Sequence, residues 1–169
     1  MASTSTLISP EEFLATTYKP ACEYRDGVIS QKPMPTYKHA LLQTVISKLI
    51  MEKFPQFISV SELTVKIAQG HFLVPDVAVQ DRKRIQDPYP TEPIHLCVEI
   101  LSPTDRMSET LAKCEEYHAW GVATTWIVDP EERRCWEYRA GQRPVEVPPG
   151  GQLTAAPISI PVDVLFTLL

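Results

Sequence analysis

Two acids stand in surroundings that disfavour an inert carboxylate: Asp76 within LVPDVAV and Glu99 within LCVEIL. Asp is depleted in strands, and an ionised carboxylate in a dry setting is costly unless it is paired or bound to a metal. Mg2+ and Mn2+ take hard oxygen ligands, often one or two carboxylates completed by water and substrate phosphate. Two acids from neighbouring strands could supply that set. Each acid alone also fits a simpler role, an ion pair with a nearby Arg or a strand end open to water. Lys113 bears on the choice. It shares a helical stripe with Tyr117 and Trp120, with Glu109 and Glu116 further round. A lysine there either leans toward the sheet or snorkels, its stem on the aromatics and its amine in water beside Glu109.

The surrounding segments read as the elements that hold these residues. CEYRDGVIS reads as a strand pair turning at Asp26-Gly27. Leu41, Leu42, Val45, Ile46, Leu49 and Ile50 recur at helical spacing and predict a helix over about 37–53. FISVSELTVKIA reads as one strand and HFLVPDVAVQ as another, with Pro75 favouring a bulge or bend beside Asp76. IHLCVEIL, residues 94–101, has the continuous apolar character of a central strand. Alternation puts Ile94, Leu96, Val98 and Ile100 on one face and His95, Cys97, Glu99 and Leu101 on the other. MSETLAKCEEYHAW, 107–120, reads as a helix with Ser108 or Asp105 as cap candidates. VATTWIVD and RRCWEYRA read as paired strands, and PVDVLFTLL as ending in a helical turn. Strand 94–101, the helix and VATTWIVD have the order of a crossover unit, which makes the two strands parallel. The fold class is α/β, a mixed central sheet flanked by helices.

A chain of 169 residues suits a single domain over 1–169, with a polar start over 1–9 expected to be flexible. The net charge of −5 counts against a broad basic surface, though clustered acids at a metal site also lower net charge. DRKRIQD is basic and reads as a solvated loop or a phosphate contact. Cys22, Cys97, Cys114 and Cys135 form no zinc-finger spacing and read as buried reduced thiols. The apolar runs are too short to cross a bilayer and no secretory signal is evident, so a cytoplasmic protein without a membrane partner is expected. Ser102 lacks elbow glycines, and Trp126, Trp136 and Tyr138 read as packing residues.

PDVAV, then VEILSPTDR, then a helix carrying Lys113 and Tyr117, then GV and WIVDP, resembles the bacterial "putative restriction endonuclease" family of the PD-(D/E)XK nuclease superfamily. EYRDGVI with a helix opening near His39, and the tail ISIPVDVLF, extend the resemblance over roughly residues 10–169. It implies a restriction-endonuclease-like core. It also implies an endonuclease that hydrolyses DNA phosphodiester bonds with Mg2+ or Mn2+. Asp76, Glu99 and the main-chain carbonyl of Ile100 would hold the metal, and Lys113 would be catalytic. Superfamily members usually carry that lysine two residues after the second acid. Leu101 occupies the position here, and Lys113 takes the lysine's place from the following helix. Glu23, His39 and Tyr117 match accessory positions. Many superfamily members add an acid from the first helix, where this chain offers only Glu52. A homodimer or higher homo-oligomer is expected, since it would set two sites against two strands of a duplex. The alternative is an inactive interaction or nucleic-acid-binding module on the same fold. A cysteine enzyme would need a Cys–His pair for which no local signature exists.

Overall fold

The computed structural model describes residues 7–169. Residues 1–6 of the start expected to be flexible lie outside this range. Ile8 is bound on both sides: its amide donates to the Gly27 carbonyl (3.2 Å) and its carbonyl accepts from the Tyr24 hydroxyl (2.8 Å). α1, Pro10–Ala15, opens on Ser9, whose hydroxyl accepts from the Glu12 amide.

β1 (Cys22–Arg25) and β2 (Val28–Gln31) form the expected hairpin. Asp26 and Gly27 carry it at φ values of 48° and 91°, the left-handed pair that a tight two-residue turn requires. α2, Tyr37–Lys53, begins at Thr36, whose hydroxyl accepts from the His39 amide. Leu42, Ile46 and Ile50 form its fully buried stripe, and His39 and Gln43 lie one step round.

The next two segments depart from expectation. FISVSELTVKIA is two strands, β3 (Phe57–Ser61) and β4 (Val65–Ala68), in different sheets. HFLVPDVAVQ divides likewise into β5 (His71–Leu73) and β6 (Val77–Asp81). The reasons are local. Glu62 turns the chain with a φ of 54°, and Pro75 has no amide to give a ladder. The two crossings lie side by side, joined by the Glu62 amide donating to the Asp76 carbonyl (3.3 Å). Asp76 therefore sits in the break between two sheets and not within a strand.

The remaining elements are β7 (Leu96–Ile100), α3 (Met107–Trp120), β8 (Thr124–Asp129), β9 (Arg134–Arg139), β10 (Val145–Val147), β11 (Gln152–Ala155), β12 (Ile158–Pro161) and α4 (Val162–Leu165). The central sheet runs β10-β9-β8-β7-β6-β3, with β7 and β8 parallel, as the crossover order requires, and the other pairs antiparallel. The second sheet runs β2-β1-β5-β4, and β11 pairs with β12. One face of the central sheet buries Leu96, Val98, Ile100 and Trp126 against α2, α4 and the β11–β12 hairpin. The other face packs Ala78 and Cys97 with Tyr117 of α3. All four cysteines are buried and free. No helix among the described residues is long and apolar enough to cross a membrane.

The cap of α3 is a second correction. Arg106 is the N-cap and makes no side-chain cap bond. Asp105 is engaged elsewhere: its carboxylate accepts from the Ser102 amide (2.7 Å) and its amide donates to the Ser102 carbonyl (2.9 Å). That closed turn uses the group that could have capped the helix.

Candidate active site

A cleft of about 690 Å³ opens where the two sheets part, walled by the loop before α2, α2 itself, α3 and the ends of β1 and β7. Asp76 is 2 % exposed and Glu99 7 %, so neither is the solvated strand-end acid that remained open above. Both are paired with cations, and those cations are lysines.

Asp76 accepts on both oxygens. Oδ1 meets Lys32 Nζ at 2.6 Å, and Oδ2 receives the Ile100 amide at 2.6 Å and faces His39 Nε2 at 3.3 Å. Ile100 thus enters the site through its N–H. Burial pushes the Asp76 carboxyl up, but His39, Lys32 and Lys113 outweigh it and hold it well below the usual range.

Glu99 lies on the Cys97 face of β7, toward α3. It accepts from the Tyr117 hydroxyl at 2.8 Å and from Lys113 at 2.9 Å. Burial pushes its carboxyl up to about 7, ahead of the opposing pull of Lys113. Lys113 does not snorkel toward Glu109. Its ammonium meets Glu23 at 2.6 Å, Glu99 at 2.9 Å and the Val74 carbonyl at 3.1 Å, which engages all three donors. Burial alone would lower its pKa; Glu99, Glu23 and Asp76 reverse the sign and raise it.

Glu23 is held on β1 by the Val74 amide (3.1 Å) and by Arg25 (3.2 Å), which also forks onto Glu116 of α3. Its carboxyl is raised by burial and lowered more strongly by Lys113, the Val74 amide and Arg25. The structure therefore brings Asp76, Glu99, Lys113, Glu23, His39, Tyr117 and the Ile100 main chain into one constellation. Glu52 is outside it, exposed and near only Lys48 at 3.8 Å.

Lys32, Gln43, Glu62 and Arg25 belong to the same network, and two of them, Lys32 and Glu62, carried no recognisable signal. Lys32 follows β2 in a proline-rich loop, and Glu62 lies midway along a run that alternates like one strand. Only Arg25, two residues from Glu23 on one strand face, and Gln43, one helical turn from His39, could have been suspected from spacing.

The donor chemistry can be set against a divalent cation. Five carboxylates (Glu23, Glu62, Asp76, Glu99, Glu116) outnumber the four basic side chains they face (Arg25, Lys32, His39, Lys113). His39 Nδ1 is buried in the cleft wall without a hydrogen-bond partner. Among the described residues no group of three or more His, Cys, Asp or Glu side chains is placed to hold a metal ion. Asp76 and Glu99 would supply part of a hard cation's shell, with water and phosphate completing it, once a lysine ammonium gives way.

The sheet, its flanking helices and the paired acids at the sheet break define a restriction-endonuclease-like, nuclease-type fold. A crystal structure described as a putative nuclease belonging to DUF820, from Anabaena variabilis, superposes with a TM-score of 0.81 at 26 % identity, covering 95 % of this chain and 98 % of that one. A family model described as "Uma2: Putative restriction endonuclease" matches residues 10–167, and the chain belongs to that family. A DrdV–DNA complex gives a TM-score of only 0.44 at 17 % identity over 63 % of this chain and 10 % of that chain, and carries no weight here. No curated protein matches.

Proposed function

We propose that this protein is a Mg2+- or Mn2+-dependent endonuclease that hydrolyses DNA phosphodiester bonds in the cleft between the two sheets. The observation that carries the reading is that buried Asp76 and Glu99 line one cleft in which carboxylates outnumber basic side chains, with Lys113 reaching Glu99 from α3. Asp76 and Glu99 would hold the ion, with the Ile100 carbonyl as a further candidate. Bound there, such an ion supplies Lewis acidity toward a phosphate oxygen and lowers the pKa of a water.

The protein's own groups do the rest. Lys113 places a fixed positive charge where charge grows on the phosphate oxygens. Its three donors are all engaged by protein acceptors, so a phosphate oxygen reaches it by displacing one. The Val74 carbonyl is the neutral member of that set. Glu23 and Tyr117 are positioning residues, the first for Lys113 and the second for Glu99. His39 holds Asp76 from α2. A homodimer would present two such clefts to the two strands of a duplex, and sedimentation velocity reads its mass directly.

The test is nicking of plasmid DNA with and without Mg2+ or Mn2+, beside Asp76→Ala and Lys113→Ala. Metal-dependent nicking lost in both variants supports the assignment; variants as active as the parent end it. One observation favours the second reading, an inactive interaction module: Lys32 already neutralises Asp76 at 2.6 Å in a chain of net charge −5. Absence of divalent-ion binding in calorimetry decides for it.

A further inference from the structure

Lys32 lies in the proline-rich loop between β2 and α2, not on a strand or helix. Its ammonium touches Asp76 Oδ1 at 2.6 Å, the Val74 carbonyl at 3.0 Å and Glu62 at 3.1 Å. All three contacts are hard oxygens of the kind a divalent ion seeks. The third differs in its exposure. Glu62 lies at the outer edge of the cleft, its side chain 38 % exposed against 3 % for Asp76. It is fixed by Gln43, whose amide donates to Glu62 at 2.7 Å and to the Asp76 carbonyl at 3.1 Å. Lys32 thus has two acidic partners at once, one buried and one toward solvent, both held by the same α2 residue.

We propose that Lys32 is a tethered counter-ion that fills the cation position beside Asp76 and withdraws onto Glu62 when a divalent ion enters. The proposal rests on reading Asp76 as a metal ligand. Three features support it. An unpaired buried Asp76 would be costly, so a cation beside it stabilises the metal-free protein. Lys113 is already committed, because Glu23 and Glu99 both bind it deep in the cleft. Glu62 keeps the ammonium paired after displacement, so withdrawal strands no charge. Lys32 therefore sets the affinity of the site for its ion, and Glu62 and Gln43 set how readily it yields.

The experiment is Mn2+ titration calorimetry on the full chain. It compares the parent, Lys32→Gln, Glu62→Gln, the double variant and Asp76→Ala. Lys32→Gln is expected to tighten Mn2+ about tenfold or more, since a like charge a few ångströms away costs at least that at the effective dielectric of a protein. Glu62→Gln is expected to weaken Mn2+ severalfold in the parent and to have no such effect once Lys32 is gone. A second measurement needs no variant. Reductive methylation of the parent, read by mass spectrometry, is expected to modify Lys32 faster with saturating Mn2+ and to leave Lys113 unchanged.

Unchanged or weaker Mn2+ binding in Lys32→Gln, with binding that still requires Asp76, overturns the counter-ion role and leaves the metal reading intact. Mn2+ binding indifferent to Asp76→Ala, or none in any protein, overturns both. Should Lys32→Gln fail to fold, methylation of Lys32 that ignores Mn2+ overturns the proposal.

Discussion

The two ends of β7 each border a cleft of similar size, yet their chemistry is opposite. At the carboxyl end, the cleft of about 690 Å³ holds buried acids and lysines that neutralise one another. At the amino end, a cleft of about 580 Å³ is lined by Gln80, Arg84, Gln86, His95, Arg139 and Thr154, among others. Several of its polar groups serve the chain itself. His95 meets the Ala155 carbonyl at 3.0 Å, Gln86 binds the amides of Thr91 and Glu92, and Arg139 is exposed beside Glu137 and Thr154. Volume does not separate the two. Buried charges that depend on each other do, because such groups are costly to keep and cluster where proteins do chemistry. The charged cleft also lies at the carboxyl end of β7, the side on which open α/β sheets usually bind ligands.

Substitutions can break this contrast. Asp76→Ala has the largest expected effect: metal-dependent plasmid nicking falls to background. Lys113→Ala comes next. It leaves Glu23 and Glu99 buried without their shared cation and is expected to cost roughly 3–5 kcal/mol in urea unfolding. Its nicking rate is expected to fall about a hundredfold to a thousandfold, the loss typical of a donor to developing charge. Glu23→Gln removes one anchor of Lys113 and keeps the hydrogen-bonding shape. An activity loss of roughly tenfold to a hundredfold is expected, with the fold preserved by circular dichroism.

At the other end the effects are expected to fall on stability alone. Gln86→Ala releases the Thr91 and Glu92 amides, bound at 2.9 and 2.8 Å, and is expected to cost about 1–2 kcal/mol without changing the nicking rate. Arg84→Ala, on an exposed turn, is expected to stay within about 0.5 kcal/mol of the parent. A large activity loss from either would mean that the amino-end cleft also takes substrate.

Much of the architecture was legible along the chain. The α2 and α3 periodicities, the Asp26-Gly27 hairpin and the apolar run of β7 each express a local rule strong enough to survive folding. The same residues implied the parallel β7–β8 pair, because a helix between two strands leaves few other topologies. Asp76 and Glu99 were conspicuous for the same reason, as acids among apolar neighbours.

What local pattern could not convey was partnership at long range. Two runs that alternate like single strands each cross between sheets, because a left-handed Glu62 and an amide-less Pro75 interrupt pairing while hydrophobicity continues. Asp105 did not cap α3, because the Ser102 turn claimed it first. Lys113 had two positions open to it, and Glu23, ninety residues earlier in the chain, decided between them. Lys32 and Glu62 carried no signal, since an ion pair depends on distance in space and sequence encodes only order. Composition and periodicity establish which groups are present and which face of an element they take. Whether a buried charge meets a metal, a lysine or water depends on elements that folding alone brings together.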